Sequence, residues 1–268
     1  MPLAIAQRCL DPTDLRRAAD LAAEAGAEGL CLSCHQHEAV AALDSEAAAR
    51  VVQAVTDGLG LAIPSIDLNV LSAGSEGRLA ADDQAAERAG ETVRRTISAA
   101  ARLGQTETAE GPAVLLPLIG RAAVEVDAEL ERVVELLTEP AELAEEAGVC
   151  LGVLSGLNFR QSRYLLDSLA PYGPVRVAFD AASLVVRKID PPTFLRQLPA
   201  EEICQVRLRD VGIPENGQPP RWSVALGSGD VDFRAVFQAL RAIGYEGWYA
   251  VDGVADPEAA RADLEHAV

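Results

Sequence analysis

The chain has 268 residues, of which 49% are hydrophobic, and a formal net charge of −18. So acidic a surface repels phosphate backbones, which argues against a nucleic-acid partner, and no apolar run approaches the roughly 20 residues of a membrane span. Met1-Pro2-Leu3 leads into a strand and not into a basic leader, so a cytoplasmic protein is expected.

Leu3 to Cys9 reads as a first short strand. Asp11-Pro12-Thr13 opens a helix that runs through Ala25 and stops at Gly26. Gly29 to Ser33 is a second strand, a helix covers about Ser45 to Asp57, and Leu61 to Leu68 is a third strand. Asn69 to Asp83 reads as a polar loop, followed by a helix from about Gln84 to Leu103 and a fourth strand, Ala113 to Leu118. The helix Asp127 to Ala147 contains Pro140, where a break or bend is expected, and Gly148 ends it. Strands Val149 to Leu154 and Val175 to Phe179 are separated by a short helix, Ser162 to Leu169. Pro192 to Leu198 is a further helix, Ile203 to Leu208 a seventh strand, and Val211 to Ser223 a Pro- and Gly-rich loop.

The eighth unit is the clearest. Phe233, Val236, Phe237, Leu240 and Ile243 fall at i, i+3, i+4, i+7 and i+10, an apolar helical stripe that Asp230 or Asp232 can cap. Gly244 stops the helix, and Trp248 to Val251 is an apolar strand with Asp252 at its C-terminal end. A closing helix is expected from Asp256 to His266. Strands that alternate with helices and read as AVLLPL, VCLGVL and VRVAF are buried on both faces. The expected fold is a single-domain (β/α)8 barrel spanning residues 1–268. The rival, a doubly wound open sheet, would carry a Gly-rich nucleotide loop where this chain has Gln7-Arg8-Cys9-Leu10.

Five cysteines without a recognisable leader read as reduced thiols. Cys31-Leu32-Ser33-Cys34-His35 spells the CxxCH of haem attachment, but it begins inside a predicted strand. Cys34, His35 and His37 are zinc-type donors, yet lie too close together to close a tetrahedral site alone. Lys188 is the only lysine, and its expected surface position argues against a Schiff-base mechanism.

Four segments carry a family likeness: GVCLGVL (148–154), VRVAFDAASL (175–184), VRLRDV (206–211) and ALGSGDVDF…LRAIGYEGWYAVD (225–252). In order and spacing they resemble the xylose-isomerase-like sugar phosphate isomerase/epimerase family of TIM barrels. The likeness is strong over the second half of the chain and rhythmic over the first. It implies relatives such as ketose 3-epimerases, hydroxypyruvate isomerase, inosose dehydratase and endonuclease IV, mostly divalent-metal enzymes. It further implies metal ligands at the ends of the fifth to eighth strands: Glu, Asp, His and Glu. This chain has Leu154, Asp180, Arg207 and Asp252 at those positions, and Ser183 where a further His often stands. Leucine cannot ligate, and a guanidinium brings a fixed positive charge. A divergent member with a degraded metal site is therefore expected, with no metal cofactor; manganese or magnesium is the alternative.

Asp180, Arg207 and Asp252 are expected to meet at the barrel mouth as the catalytic group, with the guanidinium in place of the metal charge. A structural ion-pair cluster is the bland alternative. Arg8, His35, His37, Asp67, Asn69, Arg209, Asp210 and Trp222 are the expected substrate-binding residues. A plain exposed histidine and a loop-shaping Asp67 and Asn69 are the ordinary readings of those positions. The expected function is an isomerase or epimerase-like barrel moving a proton on a small carbonyl or polyol substrate. The alternatives are an inactive barrel that binds a ligand or partner protein, and a metal-dependent epimerase using His35 or Asp67 as substituted ligands. A DNA-repair nuclease is opposed by the charge and by the lost ligands. A homo-oligomer is compatible with the sequence.

Overall fold

A computed structural model describes residues 1–35, 43, 45–73, 83–104, 111–215 and 217–253. Strands β1 (Leu3–Ala6), β2 (Gly29–Ser33), β3 (Ser65–Asp67), β4 (Ala113–Leu118), β5 (Leu151–Ser155), β6 (Val175–Asp180) and β7 (Ile203–Leu208) follow one another with helices between them. After β7 comes a small antiparallel hairpin, β8 (Asp210–Gly212) with β9 (Arg221–Val224), and then β10 (Trp248–Val251). The main strands close into a barrel in the order β1-β10-β7-β6-β5-β4-β3-β2. Every neighbouring pair is parallel, and Leu3 beside Tyr249 seals the ring.

The alternation of side chains sets what each face of the barrel packs against. Leu3 and Ile5 join the large cluster that includes Ala18, Ala19 and Ala22 of the first helix. Ala4 points the other way and meets Cys31 and Ala250 in a small inner cluster. A second inner cluster is Ala113, Leu115, Leu154 and Ala178. The interior is thus lined with small residues near β1, β2 and β10, and with leucines near β4 and β5. Gly152 shows how tight the leucine side is: an added Cβ would lie 2.3 Å from Leu115 Cδ2 and 2.7 Å from Cys204 Sγ.

Several expectations need correction. The helix Asp127–Ala147 runs through Pro140 without ending, and Pro140 is buried against the core with Leu137 and Ala141. Packing there outweighs the lost backbone hydrogen bond. The third strand is shorter than expected, with an isolated bridge from Ala62 to Gly29 before it. A short helix, Val70–Ala73, begins the segment read as loop. The loop expected over Val211 to Ser223 holds the hairpin instead. Asp232 caps its helix by accepting from Ala235 N, whereas Asp230 accepts from Ile213 N. The closing helix expected at 256–266 lies outside the described residues. All five cysteines are free, and no described helix is long and apolar enough to cross a membrane.

Gly152→Ala should destabilise the barrel by about 1–3 kcal/mol through overpacking against Leu115 and Cys204. Urea unfolding measures this, and an unchanged midpoint would contradict the packing described.

Candidate active site

The C-terminal ends of the strands open into a cavity of about 310 Å3, lined by Arg8, His35, Asp67, Asn69, Ser72, Arg207, Arg209, Trp222 and Asp252 on one side. Leu115, Pro117, Ile119 and Leu154 line the other side, and Leu68 lies between Asp67 and Asn69. Parallel strands bring this about by ending together, so the last residue of each reaches the same rim.

Arg207 lies at the centre and is 3% exposed. Its Nη2 is 2.8 Å from both Asp67 Oδ2 and Asp252 Oδ2. Its Nε donates to Asp252 Oδ2 at 3.3 Å, and its Nη1 donates to Gln205 Oε1 at 2.9 Å. Gln205 in turn donates to Cys31 Sγ at 3.4 Å, and Ser65 Oγ donates to Asp67 Oδ1 at 2.7 Å. Arg8 follows β1 in a tight turn. Its Nη2 pairs with Asp252 Oδ1 and donates to the Asp252 carbonyl at 3.1 Å.

The expected meeting of Asp180 with Arg207 does not occur. The two are register partners on β6 and β7, but the Arg207 side chain crosses towards β3 and β10. Asp180 pairs instead with Arg209, two residues further along, and accepts from Ser183 Oγ at 2.6 Å and Ala182 N at 3.1 Å. It thereby caps the helix Ala181–Val186. Arg209 also donates to Ser183 Oγ at 3.2 Å and stacks under Trp222, 4.8 Å from its ring centroid.

Asp210, expected to bind substrate, is turned away from the cavity. Its fully buried carboxylate accepts from the backbone N–H groups of Val211, Gly227, Gly229 and Val231. A Cβ on Gly229 would lie 2.3 Å from Asp210 Oδ1, which explains the glycine there. The LGSGD motif is thus a loop folded around a buried acid. His37 lies outside the described residues, whereas His35 lines the cavity. Cys31 and Cys34 are buried, with thiols pushed up to about 12 by burial, so CxxCH is no attachment site here. Lys188 is exposed, as expected.

Four buried polar atoms at this mouth have no hydrogen-bond partner among the described residues: Asn69 Nδ2, Arg209 Nε, Asp67 Oδ2 and Asp252 Oδ1. The two carboxylate oxygens touch guanidinium nitrogens but receive no aligned N–H. These are the buried polar atoms of the mouth whose hydrogen-bonding capacity its own contacts leave incomplete. Burial would raise the pKa of Asp252, but Arg207, then Arg8 and Arg209, outweigh it and hold it at about 2. Burial would lower the pKa of Arg207, but Asp252 and Asp67 drive it well above its usual value. His35 is pushed below the ordinary histidine value by burial and then by Arg8.

The divalent ion implied by the resemblance does not fit these residues. Leu154 offers hydrocarbon, Arg207 places a cation between Asp67 and Asp252, and Arg209 with Ser183 occupies Asp180. Among the described residues no group of three or more His, Cys, Asp or Glu is arranged to hold a metal.

Fold and mouth define a (β/α)8 barrel with a ligand-sized cavity at its C-terminal face. The profile of the Xylose isomerase-like TIM barrel family matches residues 19–267, and the chain belongs to that family. A xylose isomerase domain protein from Planctomyces limnophilus is similar at TM-score 0.77 and 19% identity, over 99% of this chain and 94% of that one. The 3-keto-D-glucoside 4-epimerase of E. coli is similar at 0.73 and 16%, over 99% and 98%. D-psicose 3-epimerase of Clostridium cellulolyticum is similar at 0.74 and 15%, over 99% and 98%. At these identities the likeness is one of fold. No curated protein matches the sequence.

Sequence reasoning named the charged residues but missed Leu68, Ser72, Leu115, Pro117 and Ile119. The run AVLLPL is apolar at every position, so nothing in it marks which side chains face inward. Gln205 was missed too; its place two residues before Arg207, on the same strand face, was the available signal.

Arg207→Ala should cost about 3–5 kcal/mol at pH 7, because it leaves two buried carboxylates facing each other. Asp252 ionises below its ordinary 3.8 in the fold, so its stabilisation is complete above that value and fades as pH falls through about 2. Without Arg207, the largest influence holding Asp252 down, Asp252 takes up its proton more readily, so the gap between variant and wild type should narrow from pH 7 to pH 4. Urea titrations at several pH values test this; a constant gap would contradict the pairing.

Proposed function

We propose that this barrel is an isomerase or epimerase that moves a proton beside the carbonyl of a small molecule, without a divalent metal. The observation that carries the reading is Arg207, buried under the cavity between Asp67 and Asp252. Removing a proton alpha to a carbonyl sends the electron pair towards the carbonyl oxygen, which becomes an enolate oxygen. Arg207, itself buried beneath the cavity, supplies a fixed positive field for that charge. Asn69 and Arg209 line the cavity and are the donors that would hold the oxygen. His35, neutral at physiological pH, is the base that takes the proton; in an isomerisation it returns it to the neighbouring carbon, and in an epimerisation water supplies a proton to the opposite face. Asp252 is too weak a base for that task and acts by positioning Arg8 and Arg207. Asp67 receives a substrate hydroxyl. The fold neighbours include sugar epimerases, and the five free thiols suit a reducing, cytoplasmic setting.

A binding barrel without turnover is the second reading. It is favoured by the fact that Arg8, Arg207 and Arg209 each already face a carboxylate before any ligand arrives.

Incubation with hydroxyketones and ketoses in heavy water should exchange the proton alpha to the carbonyl. Dialysis against a strong chelator should leave the rate within about twofold, and His35→Ala should lower it by roughly 100-fold or more. The rate should fall on the acid side at a pH below the ordinary histidine value of 6.5. Binding without exchange would favour the second reading, and stoichiometric manganese, magnesium or zinc required for exchange would overturn the metal-free mechanism.

A further inference from the structure

The mouth is divided in two, and the division follows the order of the strands around the barrel. β3, β2, β1, β10 and β7 are contiguous in the ring. They and the residues just after them supply Asp67, His35, Arg8, Asp252, Arg207 and Arg209. β4 and β5 are neighbours on the other side of the ring. Their contribution is Leu115 and Pro117 from β4, Ile119 just beyond it, and Leu154 from β5. Leu115 and Leu154 also pack into the inner cluster with Ala113 and Ala178, so this wall is fixed hydrocarbon. All four polar atoms of the mouth that lack an aligned hydrogen bond belong to residues on the polar side.

We infer that the ligand of this mouth is an amphipathic hydroxy-carbonyl compound, with a polar head against Asp67, Asn69, Arg209 and Asp252 and a hydrocarbon end against Leu115, Ile119 and Leu154. A free polyol carries a hydroxyl on nearly every carbon. Each hydroxyl laid on hydrocarbon without a partner loses roughly tenfold or more in affinity. A head with one carbonyl and one neighbouring hydroxyl accepts from the N–H groups of the polar side and donates its one O–H to a carboxylate there, and an alkyl end gains from the leucine wall. The inference rests on the proton-transfer reading only in placing the reacting carbons at the polar half.

The test uses the full chain and two ligands of equal carbon number that share the hydroxymethyl ketone head: erythrulose and hydroxymethyl ethyl ketone. Neither needs a ring to be opened. Binding is read by calorimetry and by the fluorescence of Trp222, which lines the cavity. The alkyl ketone should bind at least roughly tenfold tighter than erythrulose, and hydroxymethyl butyl ketone tighter again. Leu154→Asn, which puts an amide on the apolar wall, should reduce that preference roughly tenfold. Equal or tighter binding of erythrulose by the unmutated protein, or no binding of either compound, overturns the inference. Deuterium exchange is measured on the same samples. An alkyl ketone preferred in binding but silent in exchange refutes the proton-transfer reading and leaves the ligand class standing. Exchange on erythrulose with the alkyl ketone excluded does the reverse.

Discussion

A guanidinium inside a barrel is the constraint from which the rest of this mouth follows. Burying an unpaired charge costs several kcal/mol even after relaxation, so Arg207 is tenable only with its neighbours in place. Asp67 and Asp252 supply the opposing charge, and Gln205 takes the remaining N–H. Room for the side chain comes from the small residues Ala4, Cys31 and Ala250 on the same side of the interior. Arg8 then meets the oxygen of Asp252 that Arg207 leaves free, tying the turn after β1 to the end of β10 where the barrel closes. The geometry of the charged mouth and the closure of the ring are thus held by the same carboxylate.

A second tier depends on the first. Because Arg207 reaches across the barrel, Asp180 is left to Arg209, and that pair fixes the helix after β6 through Ser183 and Ala182. Arg209 is held from above by Trp222, which the β8–β9 hairpin carries into position. The hairpin is anchored by Asp210 through the glycines of the following loop. One continuous set of contacts therefore runs from the sequence motif at 225–230 to the cavity, although no residue of the motif enters it. Its role is structural support for Arg209 and Trp222.

Strand and helix rhythm was legible because both signals are strong here: apolar runs bounded by glycine, and the 3.6 period of the stripe at Phe233–Ile243. The identity of the charged rim was legible too, since strand ends in a parallel barrel share one rim. Pairing was not. A sequence shows that Asp180 and Arg207 stand opposite each other, but not that a long side chain will leave its register partner for two carboxylates elsewhere. The division of the mouth was also hidden, because an all-apolar strand such as β4 gives no clue to which of its faces is inside. The break offered for Pro140 does not occur, because the local backbone rule was outweighed by burial.

Charge accounting explains what kind of ligand such a mouth can hold. A divalent ion with three carboxylates would leave a site negative by one unit. Here three guanidiniums, Arg8, Arg207 and Arg209, face three carboxylates, Asp67, Asp180 and Asp252, and the sum is zero. Around that neutral centre the chain as a whole carries −18. An anionic ligand would approach against the outer field and find no surplus positive charge at the end. A neutral ligand meets neither obstacle, and its recognition falls to the polar side chains that line the mouth and to a wall of hydrocarbon. In such a neutral mouth selectivity falls to hydrogen bonds and shape, and in the proposed proton transfer the buried guanidinium would act on the transition state, where an oxygen gains negative charge.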